Sequence, residues 1–193
     1  MINCFTPLFV FMVLGFWGCS DESGHETTLL PEPIVTFKKD IENNKSAIKQ
    51  TKDGGYIIAG GKNGSAWLLK IDKNGEEVWQ NTYSLGDFGY TRAVIQTSDG
   101  GYLYAGWEGI VKADSNGVEE WKNKNSEIGL YPYYEDVIQH SNGNYYAVGG
   151  PSGGQAQFVK FSPEGNVLTR KYFGTNCEDD IFRSLIETPD EML

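Results

Sequence analysis

A lysine recurs five residues before a turn glycine: Lys70 before Gly75, Lys112 before Gly117 and Lys160 before Gly165. Ammonium groups in one register offer two kinds of chemistry. They form a ring facing a bound anion, or each packs its stem and carries its charge to solvent or to a carbonyl. The second is expected, because lysines are seldom buried without a partner. Acidic residues gather at Asp87, at Glu135-Asp136 and at Glu178-Asp179-Asp180. They are read as loop caps and solvated faces, with a cation or sugar site on one rim as the sharper alternative. Asp72-Lys73-Asn74-Gly75 and Asp114-Ser115-Asn116-Gly117 open like a calcium loop but lack its later carboxylates, and are read as hairpin turns. His25 and His140 have no second ligand at metal spacing, and the sequence has neither a nucleophile elbow nor a phosphate loop. No catalytic residue, metal site or cofactor is therefore assigned, and the ligand-binding residues stay unknown at this stage.

These residues recur because the sequence around them recurs. Thr51-Lys52-Asp53-Gly54-Gly55-Tyr56 returns as Thr97-Ser98-Asp99-Gly100-Gly101-Tyr102, and in eroded form as His140-Ser141-Asn142-Gly143-Asn144-Tyr145. The glycine column repeats after 46 and then 43 residues. Repeats of this length built of short strands are the signature of β-propeller blades. Each copy reads as four strands joined by hairpins. Lys52-Asp53-Gly54 and Lys73-Asn74-Gly75 suit a type I turn closed by a left-handed glycine. Third strands such as Trp67-Leu68-Leu69-Lys70-Ile71 and Phe158-Val159-Lys160-Phe161 are apolar on both faces, so each blade needs a neighbour on either side. Trp79 and Trp121 share a column in which the third copy has Thr169. Their rings are expected to fill the gap between blades rather than to stack on a ligand.

The expected fold is all-β, with propeller-type four-stranded antiparallel blades, about three of them complete and forming an open arc. The blades fall at about residues 46–83, 91–126 and 136–173, with partial strands at 34–39 and 182–188. Propellers have about four blades or more, so the chain is read as a truncated piece of a longer propeller.

Residues 1–18 are expected to be a lipoprotein signal peptide. Phe5 to Gly18 is apolar, uncharged and too short to span a bilayer with ease. Phe16-Trp17-Gly18-Cys19-Ser20 then resembles the lipobox of bacterial lipoproteins, which implies acylation of Cys19. Residues 19–32, opening on Cys19-Ser20-Asp21-Glu22, read as a flexible tether. Its acidic start resembles the surface-export signals of Bacteroidetes lipoproteins. The partial propeller occupies residues 33–193. Cys4, Cys19 and Cys177 leave no disulfide framework in the mature domain. Cys177 sits beside acidic residues, a setting that raises a thiol pKa rather than activating it. The formal charge of −10 argues against a nucleic-acid partner.

Over roughly residues 33–189 the repeats resemble a bacterial and archaeal propeller family. Its blades read Thr-x-Asp-Gly-Gly-Tyr, an apolar strand, then Trp-Leu-x-Lys-x-Asp-x-x-Gly and a Trp. The resemblance implies a secreted or lipid-anchored propeller. Leu69-Lys70-Ile71-Asp72, Gly75 and Trp79 also resemble the pyrroloquinoline-quinone-type propeller repeat. Asn74 stands where that repeat has Thr, and the adjacent cysteine pair of its catalytic members is missing. What this resemblance implies is kinship with the non-catalytic members, which scaffold outer-membrane protein assembly. The expected function is that of an exported, lipid-anchored, non-enzymatic binding or scaffold propeller in the cell envelope. As an outer-membrane lipoprotein it would be periplasmic or surface-exposed, with a protein or glycan ligand at its loop rims. The alternative is a carbohydrate-active enzyme or glycan-binding partner that uses rim acids and aromatics such as Tyr131, Tyr133 and Tyr134.

Overall fold

Tight hairpins of one geometry punctuate the chain. In a computed structural model, residues 44–84, 90–107, 109–124, 132–151, 154–175 and 180–188 are described. At each such turn an N–H donates back three residues, and the residue before the turn donates forward four: Gly54 to Thr51 and Thr51 to Gly55, then Gly75 to Asp72 and Asp72 to Glu76. The same pairs recur at Thr97–Gly101, Asp114–Val118, His140–Asn144 and Ser162–Asn166. Gly54, Gly75, Gly100, Gly117, Gly143 and Gly165 all have φ between 77° and 87°. This left-handed region is open at little cost only to glycine, which is why the glycine column sets the period.

Among the described residues the turns join twelve strands in six pairs. β1 (Asn44–Gln50), β2 (Tyr56–Lys62), β3 (Ser65–Ile71) and β4 (Glu77–Tyr83) form one antiparallel sheet in sequence order. β5 (Thr91–Gln96), β6 (Tyr102–Gly106), β7 (Gly109–Ala113) and β8 (Glu119–Lys124) form the second. β9 (Pro132–Gln139), β10 (Tyr145–Pro151), β11 (Ala156–Phe161) and β12 (Val167–Phe173) form the third. The expected open arc of three propeller-type blades is therefore the fold. The first strands lie innermost: β1 meets β5, and β5 meets β9.

Strand alternation explains the stacking. Ile57, Ala59, Ala66 and Leu68 of the first blade pack against Val94, Tyr102, Tyr104 and Val111 of the second. The other face of the second blade, with Leu103, Ala105 and Ile110, packs against Tyr134, Val137, Val159 and Phe161 of the third. β6 and β7 are buried along their whole length, as a strand with a neighbour on both faces must be.

A recurring amide clasp ties each blade to the next. Gln96 accepts from the Lys52 N–H at 2.8 Å and Gln139 accepts from the Ser98 N–H at 2.6 Å. Glu187 takes the same part for the Ser141 N–H at 3.1 Å. Residues 182–188 are not a ladder strand, which corrects the expectation of a strand there. They are held instead by this clasp, by Phe182 N–H on the Gly149 carbonyl, and by Asp136, which accepts from Ser184 Oγ and Leu185 N–H. Among the described residues no strand pairs with residues 182–188. The expected strand at 34–39 lies outside the described residues.

Candidate functional site

Each recurring chemical residue has a structural task. Lys70 and Lys112 are 4 % and 1 % exposed. Lys70 Nζ lies 2.9 Å from Asp53 Oδ2 and donates to the Ile71 carbonyl at 2.9 Å. Lys112 Nζ lies 2.9 Å from Asp99 Oδ2 and 2.8 Å from Glu120 Oε2, and donates to the Ala113 carbonyl. The lysine column is thus no anion ring. Of the two ends expected for the ammonium, solvent or a carbonyl, Lys70 and Lys112 take the carbonyl and add a carboxylate, which staples the third strand to the first hairpin. The turn aspartate also accepts from Thr51 Oγ1 and the Gly55 N–H, and its counterpart from Thr97 Oγ1 and the Gly101 N–H. Hydrogen bonds from Thr51 and then Lys70 hold the Asp53 carboxyl down at about 2. Partial burial pushes the Asp99 carboxyl up, but Thr97, Lys112 and the Gly101 N–H outweigh it and bring it to about 2. Burial likewise pulls the Lys112 ammonium down, and Glu120 and Asp99 more than reverse it.

The second glycine of the motif belongs to the same staple. A Cβ at Gly55 would stand 2.5 Å from Lys70 Nζ, and one at Gly101 would stand 2.5 Å from Lys112 Nζ. The third copy has Asn142 for the aspartate and Asn144 for this glycine. There Lys160 is only half-buried, and its Nζ lies 5.6 Å from the centre of the Tyr146 ring. Aspartate, glycine and the ion-paired lysine are lost together.

The tryptophan column fills the seam between blades, as expected. Trp79 meets Tyr102 edge-on at 5.5 Å and lies over Gly117; Trp121 lies over Gly165 beside Tyr145 and donates to the Pro163 carbonyl at 3.0 Å. Two residues on, Asn81 and Asn123 each donate to the carbonyl of that same glycine at 2.9 Å. Asp72 and Asp114 accept from two turn N–H groups each, at 2.8 Å, so the calcium-like strings are capped hairpins. Among the described residues no group of three or more His, Cys, Asp or Glu is placed to hold a metal.

What remains is chemistry that does not recur. A cleft of about 270 Å³ opens where the first strands begin, lined by Ser46 of β1, Tyr90 and Arg92 at the start of β5, and Trp107 just after β6. The Trp107 N–H donates to the Tyr90 carbonyl at 3.0 Å. Its backbone bridges to Tyr133, and its ring stacks on Tyr133 at 5.8 Å and 20°. Three blades thus contribute to this rim. Tyr90 is 47 % exposed, and Arg92 has no carboxylate partner among the described residues. In the other copies Gly61 and Gly150 stand in the column of Trp107, and Ser46 and Glu135 in that of Arg92.

Of the aromatics expected on a rim, Tyr133 is there. Tyr134 is not: it is fully buried, edge-on to Phe161 at 6.0 Å, because the strand turns alternate side chains into the seam. Tyr131, Asp87, Cys177, Glu178, Asp179, His25 and Cys19 lie outside the described residues. Asp136 and Asp180 tie residues 180–188 to their surroundings. Tyr90, Arg92 and Trp107 were not singled out in the sequence. The signal that finds them is the break in the repeat, a tryptophan in a glycine column.

No family model matches the sequence, and no curated protein does either. Among solved structures, a protein of unknown function from Bacteroides caccae is similar, with 20 % identity and a TM-score of 0.49. The alignment covers 63 % of this chain and 42 % of that one, so the chain spans less than half the length of that structure.

Proposed function

We propose that this chain is an exported, lipid-anchored β-propeller that binds a ligand without chemical turnover, and that the contact surface is the rim cleft of Ser46, Tyr90, Arg92 and Trp107. One observation supports the reading above the rest. Residues that recur with the blades are absorbed by staples and seams, whereas Arg92 and Trp107 break the repeat and meet at one cleft. A side chain that serves the repeat recurs with it; one that serves a single ligand need not. Loops and strand ends on a rigid blade scaffold are where propellers carry function. Cys19 would supply the anchor and residues 19–32 the tether.

The test is a binding screen of the full chain against glycans and peptides, repeated with Trp107→Ala and Arg92→Ala. The reading requires a ligand whose binding falls at least tenfold in either variant while the melting temperature holds. Ligands bound equally by all three proteins would remove the cleft from the account.

A further inference from the structure

We infer that the rim cleft takes a saccharide that carries a carboxylate, an inference that rests on the cleft being a ligand site. The first element is a flat apolar platform. Trp107 is partly exposed and is held by Tyr133 stacked against it, and Tyr90, 47 % exposed, lines the same opening. Indole and phenol rings present an apolar face with a polar edge, which suits the C–H face of a pyranose ringed by hydroxyls. The second element is the cation. The buried lysines of the blades are ion-paired where they are most enclosed, but Arg92 is exposed at the cleft and pairs with no carboxylate among the described residues. A guanidinium fork matches a carboxylate with two parallel hydrogen bonds. The third element is the Ser46 hydroxyl, which both donates and accepts and so suits a sugar hydroxyl.

Size narrows the class. The cleft holds about 270 Å³, just under the roughly 300 Å³ at which small-molecule sites start. It suits one sugar unit of a chain whose remainder runs out over the rim. Bulk charge does not recruit this ligand, since the chain carries −10. Recognition is local, within the roughly 8 Å over which charges act at physiological salt.

Calorimetric titration of the full chain with short galacturonate oligomers and with neutral galactose oligomers of equal length tests this, with tryptophan fluorescence as a second readout. The acidic oligomers should bind at least tenfold more tightly. Arg92→Gln should abolish that preference, Trp107→Ala should abolish binding of both, and Trp107→Phe should retain most of it with an unchanged melting temperature. Equal affinity for both oligomers, unmoved by Arg92→Gln but lost in Trp107→Ala, would overturn the carboxylate and leave the cleft standing. Binding of neither oligomer would overturn the saccharide. The cleft itself falls only if the broader glycan and peptide screen also yields nothing sensitive to Trp107.

Discussion

Lys112 Nζ stands between two carboxylates, 2.9 Å from Asp99 on the first hairpin and 2.8 Å from Glu120 on the fourth strand. Lys70, its counterpart one blade earlier, is paired with Asp53 and the Ile71 carbonyl. The two staples share a design but differ in reserve. A buried cation that loses its one carboxylate is left under-satisfied, at a cost of about 1–3 kcal/mol. Asp53→Asn should therefore lower stability by about 2 kcal/mol. Asp99→Asn should cost less than half as much, because Glu120 remains. Denaturant unfolding of both variants checks the order; a larger loss in Asp99→Asn would contradict the geometry.

The glycine columns are not equal. Gly100 has φ 87° and nothing within 4 Å of a Cβ built on it, so Gly100→Ala meets backbone strain alone, about 1 kcal/mol. Gly117 has φ 77°, and its Cβ would stand 2.7 Å from the Trp79 ring. Gly117→Ala should add a displaced indole to the same strain and cost at least about 2 kcal/mol. Equal melting temperatures for the two variants would mean that Trp79 does not rest on the turn.

The staples give the protein an acid limb. Asp53 and Asp99 are held at about 2, below the ordinary 3.8. Their stabilisation is fully present above the unfolded value and is lost as pH falls from about 4 towards 2. Melting temperatures should drop through that window, and the double variant Asp53→Asn/Asp99→Asn should start lower and drop less. The alkaline limb has the opposite sign. Burial, and then the Asp53 charge, push the Tyr102 phenol up to about 12. Its contribution is present below pH 10 and is lost as pH rises towards 12. Tyr102→Phe should flatten that limb.

The seam latch pairs a ring with an amide. Asn123→Ala removes one hydrogen bond to the Gly165 carbonyl, for a loss of about 1 kcal/mol. Trp121→Ala removes the half-buried ring that covers Gly165 and adjoins Tyr145, for about 2–3 kcal/mol. Because both act on one turn, the double variant should lose less than the sum. Strict additivity in a double-mutant cycle would show that the two contacts are independent.

The anchor is tested in cells. Wild type should incorporate a clickable fatty acid and sediment with membranes, whereas Cys19→Ala should do neither. Equal labelling of both proteins would exclude Cys19 as the acylated residue.

The repeat made the blades legible. Gly54, Gly75, Gly100 and Gly117 mark turns that only left-handed residues close, and alternation along β6 and β7 requires a neighbour on each face. That is local chemistry, written residue by residue. Partnership between distant residues was not legible. Lys70 meets Asp53 because β2 and β3 pair in one register, whereas the sequence alone offered that lysine solvent or a carbonyl and named no carboxylate. Asp136 and Glu187 became ties because residues 180–188 come to rest on the third blade. Tyr134 left the expected rim for the core, because one step along a strand reverses the face. The cleft is the clearest case. Ser46 lies on β1, Arg92 on β5 and Trp107 just after β6, and only the arc in which β1 and β5 converge brings them to one cleft.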